Sequence, residues 1–216
     1  LTGFNAGAGE EGLAVAKAYF DSVNASGGIG GRKIVFQALD DEFNAQKAAE
    51  NARKLVEGKS VAIFNCWGTT SCAAMMPVIT QAGVPMVAGI AGGGPMRQEP
   101  GRYAFNIRPT TQAEIARMVH QMSSIGQNSI ALVYQNDPFG KSGQTAARAV
   151  FTKAGIKPVA ELAIEPNASN ASAVIDSLKK LQTLTGIILV AAPPATVKII
   201  PEARKAGLST QFYNLA

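Results

Sequence analysis

Between residues 66 and 72 the chain reads Cys-Trp-Gly-Thr-Thr-Ser-Cys, and it holds both cysteines and the only tryptophan of the protein. The apolar run Val61 to Phe64 just before it reads as a short buried strand. Apolar residues at helical spacing begin near Ala73. The order is therefore strand, hydroxyl-rich turn, helix start. In an open α/β sheet, ligands sit in the crevice beyond the carboxyl ends of the strands. A helix N-terminus offers unbonded N–H groups, and Ser or Thr hydroxyls beside it complete an anion site. Gly68, Thr69, Thr70 and Ser71 thus form a candidate cradle for a small carboxylate-bearing ligand. Trp67 reads equally as an apolar wall for the ligand body and as a cap on a core.

Other chemistries fit less well. A Cys66–Cys72 bridge would close a loop of about seven residues, worth roughly 2–2.5 kcal/mol in a chain-entropy account. The alternative is two buried thiols. An even count of cysteines bracketing a binding loop favours the bridge, and with it an oxidising compartment. His120 is the single imidazole. It stands off the stripe Ile115, Met118, Val119 and Met122, so a solvated helix position is expected. One histidine without a Cys-x-x-Cys pair argues against a metal site. No Gly-x-Ser-x-Gly elbow occurs, and no base is marked beside a Ser or Cys. Asp40-Asp41-Glu42 reads as a solvated loop. No catalytic residue is assigned.

Gly7-Ala8-Gly9-Glu10-Glu11-Gly12 matches the dinucleotide pattern G-x-G-x-x-G. Glu10 and Glu11 would, however, stand where a pyrophosphate must go. Asp40 lies about 28 residues beyond Gly12, where about 20 is usual. No cofactor is expected, and a dinucleotide-dependent enzyme stands as a rival. Gly92-Gly93-Gly94 lacks the Lys-Ser/Thr of a phosphate loop. It reads equally as a flexible turn and as a close backbone approach to a ligand.

The elements that must position these residues alternate. The chain has 216 residues, 47% hydrophobic and 16% charged, with 22 glycines, enough for a substantial core with many tight turns. No apolar run approaches the ~18 residues of a membrane helix. The net charge of +5 is dispersed, so no nucleic-acid partner is expected. Helices are predicted over about 10–24, 45–57, 72–82, 112–124, 139–154, 171–182 and 194–206. Strands are predicted over about 33–39, 61–64, 84–88, 129–134, 157–164, 186–191 and 211–214, and Leu1 to Gly9 reads as a loop. Ala82-Gly83-Val84, Ala154-Gly155-Ile156 and Ala206-Gly207-Leu208 repeat one punctuation of helix end, glycine and next strand. Such alternation implies parallel sheets. The Pro/Gly-rich stretch 95–111 breaks the rhythm and divides the chain into two α/β lobes, 1–108 and 109–216.

These motifs resemble the periplasmic solute-binding proteins of the leucine/isoleucine/valine-binding type. The resemblance rests on Leu1-Thr2-Gly3, on Asn24-Ala25-Ser26-Gly27-Gly28-Ile29-Gly30-Gly31-Arg32-Lys33-Ile34 and on Ala82-Gly83-Val84-Pro85. Phe105-Asn106-Ile107-Arg108 and Tyr134-Gln135-Asn136-Asp137-Pro138-Phe139-Gly140 extend it across the chain. It implies two doubly wound lobes that trap a ligand by hinge closure, and delivery to the membrane permease of an ABC importer. A periplasmic or extracytoplasmic location is implied with it. Gly68, Thr69 and Thr70 match the loop that holds a ligand carboxylate. Ala91 and Gly93 match a second loop, in which Gly92 stands where the family has Ser or Thr. Phe139 matches an aromatic closure residue, and Pro193 a position often held by tyrosine. A branched-chain or aromatic amino acid, or an aromatic acid, is the implied ligand. A ligand-sensing domain of a regulator or receptor with the same fold is a further rival. The family also implies a strand ahead of Leu1 and a long stretch after residue 216, with an acidic ligand residue at Ala216 or beyond. Leu1 in place of a methionine points to a processed or trimmed chain.

Overall fold

The computed structural model describes residues 1–3, 6–96 and 101–215, with Pro95 and Gly101 described by backbone only. The chain divides into two compact units, Leu1–Ile90 with Pro100–Ile107, and Ala91–Glu99 with Arg108–Ala216. The Gly92–Gly94 turn and Arg108 thus belong to the second unit.

The first unit contains α1 (Ala6–Ala25), α2 (Ala45–Glu57), β1 (Ile63–Phe64), α3 (Thr69–Ala82), β2 (Met86–Gly89) and β3 (Ala104–Asn106). Its sheet is parallel, in the order β1-β2-β3. Asn44 caps α2 by accepting from the N–H groups of Gln46 and Lys47 at 2.9 and 3.1 Å, the pairing a helix start leaves open.

Two expectations change here. Helix α1 begins at Ala6 rather than near Glu10, so Gly7, Gly9 and Gly12 lie inside helical turns. No glycine loop forms to cradle a pyrophosphate, and the dinucleotide reading loses its geometry. The glycines serve close packing instead. A Cβ at Gly9 would stand 2.8 Å from the Leu1 side chain, and one at Gly12 would stand 3.3 Å from Asn65 Nδ2. The run 33–39 does not enter a ladder. Its side chains pack, with Phe36 edge-on to Phe20 at 5.1 Å and Phe20 edge-on to Phe64 at 5.2 Å. The run and residues 58–67 both line a cavity of about 720 Å³. The one backbone tie in the described run is between Ile34 and the Asn24 amide, at 2.7 and 2.8 Å. Strand propensity cannot form a ladder without a neighbour in register.

The second unit contains α4 (Thr111–Ser124), β4 (Ile130–Gln135), α5 (Pro138–Ala154), β5 (Ala160–Ile164), α6 (Ala171–Lys179), β6 (Gly186–Val190), α7 (Pro193–Lys205) and β7 (Gln211–Asn214). The strands are parallel in the order β5-β4-β6-β7. Side chains alternate between the two faces. Ala131, Val133, Ile187 and Leu189 pack with residues of α6 and α7. Ile130, Leu132, Ile188 and Val190 pack with residues of α4 and α5. Both faces are covered, as parallel sheets require.

Helix α5 reaches this sheet through glycine. A Cβ on Gly140 would collide with the Gln135 carbonyl, and one on Gly143 with Val190. The Gly140→Ala variant is expected to lose about 3 kcal/mol, the overpacking cost at a rigid contact, as a lower urea midpoint. An unchanged midpoint would refute this contact.

Across the outer face of α5, Arg148 Nε donates to both Glu161 oxygens at 3.1 and 2.9 Å, and Gln144 Nε2 donates at 2.7 Å. The Arg148 hydrogen bond holds the Glu161 carboxyl below the usual glutamate range, against the opposing effect of burial. A carboxylate with a lowered pKa stabilises the fold above its unfolded value and loses that contribution as pH falls. Stability should therefore drop more steeply below about pH 4.3 in the native chain than in Glu161→Gln. Parallel curves of midpoint against pH would contradict it.

Candidate functional site

One group of candidate residues follows β1 on the first unit. Trp67 forms an isolated parallel bridge with Ile90. The Gly68 N–H donates to the Ile90 carbonyl at 3.0 Å, and the Ile90 N–H donates to that of Cys66 at 2.9 Å. Gly68 has φ +83°, and a Cβ there would stand 2.7 Å from the Phe43 ring. Both the backbone and the packing require glycine. Cys66 and Cys72 are joined by a disulfide, with Cα atoms 5.6 Å apart. The even, bracketing cysteines are thus bridged.

Helix α3 starts at Thr69, three residues before the apolar spacing indicated. That spacing is blind to a polar first turn. Thr69, Thr70 and Ser71 therefore form the first turn behind Gly68, whose N-cap position has no side-chain hydrogen bond. Thr69 and Ser71 are buried. Thr70 Oγ1 and Ser71 Oγ are shut from solvent with no partner among the described residues. A buried hydroxyl left unpaired costs about 1–3 kcal/mol, and native folds rarely carry one without cause. Both oxygens stand in the first turn of the helix, at the positive end of its dipole. Denatured, unreduced protein should show no titratable thiol. Reduction should lower stability by roughly 2–2.5 kcal/mol in denaturant titration, and two thiols before reduction would refute the bridge.

A separate group of candidate residues lies on the second unit. Ala91, Gly92 and Gly93 are buried. The Thr111 N–H donates to the Gly92 carbonyl at 2.8 Å. A Cβ at Gly92 would stand 2.9 Å from Thr111 Oγ1 and 3.1 Å from the Pro109 carbonyl. The turn packs on the start of α4, which leaves no room for the Ser or Thr that the resemblance implies. Phe139 sits in the first turn of α5, partly buried against the core of β4 and β6. Pro193 opens α7 and is exposed. These two follow the carboxyl ends of adjacent strands, β4 and β6.

The residues singled out from sequence therefore form two groups. Cys66 to Cys72 lie on the first unit, and Ala91 to Gly93, Phe139 and Pro193 on the second. Ala216 lies outside the described residues. His120 is exposed on α4. Sequence reasoning carried the hydroxyl cradle through to Ser71 but missed Phe43, whose ring edge stands against Gly68. It also missed Gln135, one of four buried polar residues among those described. A glutamine closing an apolar strand just before Asn-Asp-Pro was the available signal. Among the described residues, no cluster of His, Cys, Asp and Glu could hold a metal ion. No helix among them is long and apolar enough to cross a membrane.

The chain belongs to the periplasmic binding protein family, whose model matches residues 1–216. An amino acid binding protein of Pseudomonas aeruginosa is 22% identical over 99% of this chain and 57% of its own length. A substrate-binding periplasmic protein from Ralstonia solanacearum superposes with a TM-score of 0.85 at 27% identity, over 93% of this chain and 57% of that one. The solute-binding protein of an ABC transporter from Rhodopseudomonas palustris BisB5, in complex with 3,4-dihydroxy benzoic acid, gives a TM-score of 0.84 at 19% identity. That match covers 99% of this chain and 58% of the other. The chain thus spans a little over half the length of these relatives. The α/β fold with parallel sheets and the family expected from the sequence are both found.

Proposed function

We propose that this chain is part of the extracytoplasmic solute-binding component of an ABC importer, and that it takes a small carboxylate with an apolar body. The observation that carries the reading is the hydroxyl-rich first turn of α3 behind Gly68, whose N-cap has no side-chain bond and where Thr70 Oγ1 and Ser71 Oγ have no partner among the described residues. A carboxylate presents acceptor lone pairs to the N–H groups and hydroxyls of such a turn. The Cys66–Cys72 bridge and the Ile90 pairing hold the turn in place without ligand, which limits the ordering cost of binding. Trp67, half-buried beside this turn, supplies an apolar surface. Phe139 and Pro193 add apolar side chains on the second unit, and Ala91 and Gly93 offer backbone groups.

An amino acid binder among the relatives and an aromatic acid bound by a structural neighbour agree with this ligand class. The function is binding and delivery to a membrane permease, with no chemical step. An oxidising, extracytoplasmic location agrees with the disulfide.

A thermal-shift screen of the intact protein against L-leucine, L-phenylalanine, 3,4-dihydroxybenzoate and NAD tests the reading. At a hundredfold excess over Kd, a binding acid should stabilise by about 2.7 kcal/mol. Stabilisation by NAD with none by any acid would overturn it. Thr70→Ala and Ser71→Ala should each weaken the acid that binds by about 1–2 kcal/mol. Unchanged affinity in both would remove this turn from the site.

A further inference from the structure

We infer that Gln135 is a positioning residue that sets the separation of Phe139 and Pro193 and so selects the size of the ligand body. The inference rests on the reading in which those two side chains meet the ligand.

Gln135 is the last residue of β4 and is 1% exposed. A buried amide must be satisfied on both sides, and this one is satisfied by two different loops. Its Oε1 accepts from the Ala192 N–H at 3.0 Å, 57 residues away. Its Nε2 donates to Asp137 Oδ2 at 2.6 Å. Asp137 is the N-cap of α5, and its Oδ1 accepts from the Gly140 N–H at 2.8 Å. Ala192 is the N-cap of α7 and has no side-chain cap of its own. One side chain thus joins the caps of the two helices whose first turns carry Phe139 and Pro193.

The line continues beyond α7. Thr196 Oγ1 donates to the Ala192 carbonyl at 3.1 Å and lies 3.4 Å from Asn214 Oδ1 on β7. Polar side chains therefore tie the carboxyl ends of β4, β6 and β7 in turn. Gly140, pressed on the Gln135 carbonyl, denies α5 room to move inward. A main-chain N–H on one loop and a carboxylate on the other demand an acceptor and a donor from one side chain. Only an amide of this length supplies both here. Glutamate would keep the bond to Ala192 and set a second carboxylate against Asp137.

The test uses the intact protein with Gln135→Glu, Gln135→Ala and the double variant Gln135→Glu/Asp137→Asn, in which an Asn amide can donate to the new carboxylate. The mechanical part needs no ligand. Amide hydrogen exchange at Ala192 and Gly140 should rise at least tenfold in Q135A and Q135E and fall back in the double variant. Unchanged exchange overturns the inference whether or not any acid binds. The functional part compares Kd for L-leucine, L-phenylalanine and 3,4-dihydroxybenzoate by calorimetry. The ratio of Kd between larger and smaller binders should shift at least fivefold in Q135E and return in the double variant. Equal weakening of all acids, tracking a fall in Tm, would reduce Gln135 to a structural residue and overturn the inference. If the native protein binds none of the three acids, the ligand reading and the size-selection role fail together, while the exchange result still decides the tie.

Discussion

The candidate loops of the second unit depend on a parallel sheet that is covered on both faces. Such a sheet has no solvent side on which polar side chains can stand. In the second unit β6 is buried along its whole length, and Ile130 to Val133 of β4 are buried with it. Polar chemistry is therefore displaced to the ends of the strands, where backbone groups run out of partners. Gly68 to Ser71, Gln135 to Phe139 and Ala192 to Pro193 all lie just past a strand's carboxyl end.

Within that constraint, each loop is held by a different interaction. The 66–72 turn is held covalently by Cys66–Cys72 and by backbone pairing to Ile90. The 91–93 turn is held by steric fit, with Gly92 pressed on Pro109 and Thr111. The 135–139 and 192–193 loops are held by one buried amide. A hydrogen bond can be lengthened or re-aimed at less cost than a disulfide can. The 66–72 turn is accordingly the more rigidly held, and the 135–139 and 192–193 loops are the more adjustable.

Much of the fold was legible from local chemistry. Asn44 does cap a helix, by bonds to N–H groups two and three residues on, whereas Asn170, expected to cap α6, makes no side-chain cap bond. Gly83, Gly155 and Gly207 do adopt positive φ at or just past helix ends. The alternation of elements gave the parallel class, because periodicity reports burial and burial is what a core enforces. The misses have two causes. Helix α1 reached back to Ala6 and α3 to Thr69, because polar or glycine-rich first turns carry no apolar period. The run 33–39 has strand composition, yet a ladder is a property of two segments and composition belongs to one.

The sequence by itself determined the family, the parallel α/β class, the candidate hydroxyl turn and the residues able to bridge it. These depend on residue type and short spacing, which the chain states directly. The tertiary structure alone decided that Thr70 and Ser71 keep buried oxygens without partners, that Phe43 makes Gly68 obligatory, and that Thr111 excludes a side chain at Gly92. It alone decided that Gln135 joins two helix caps. The Phe43–Gly68, Gly92–Thr111 and Gln135–Ala192 contacts join positions about 19 to 57 residues apart. Such contacts arise from packing in three dimensions, and no window along the chain contains both partners.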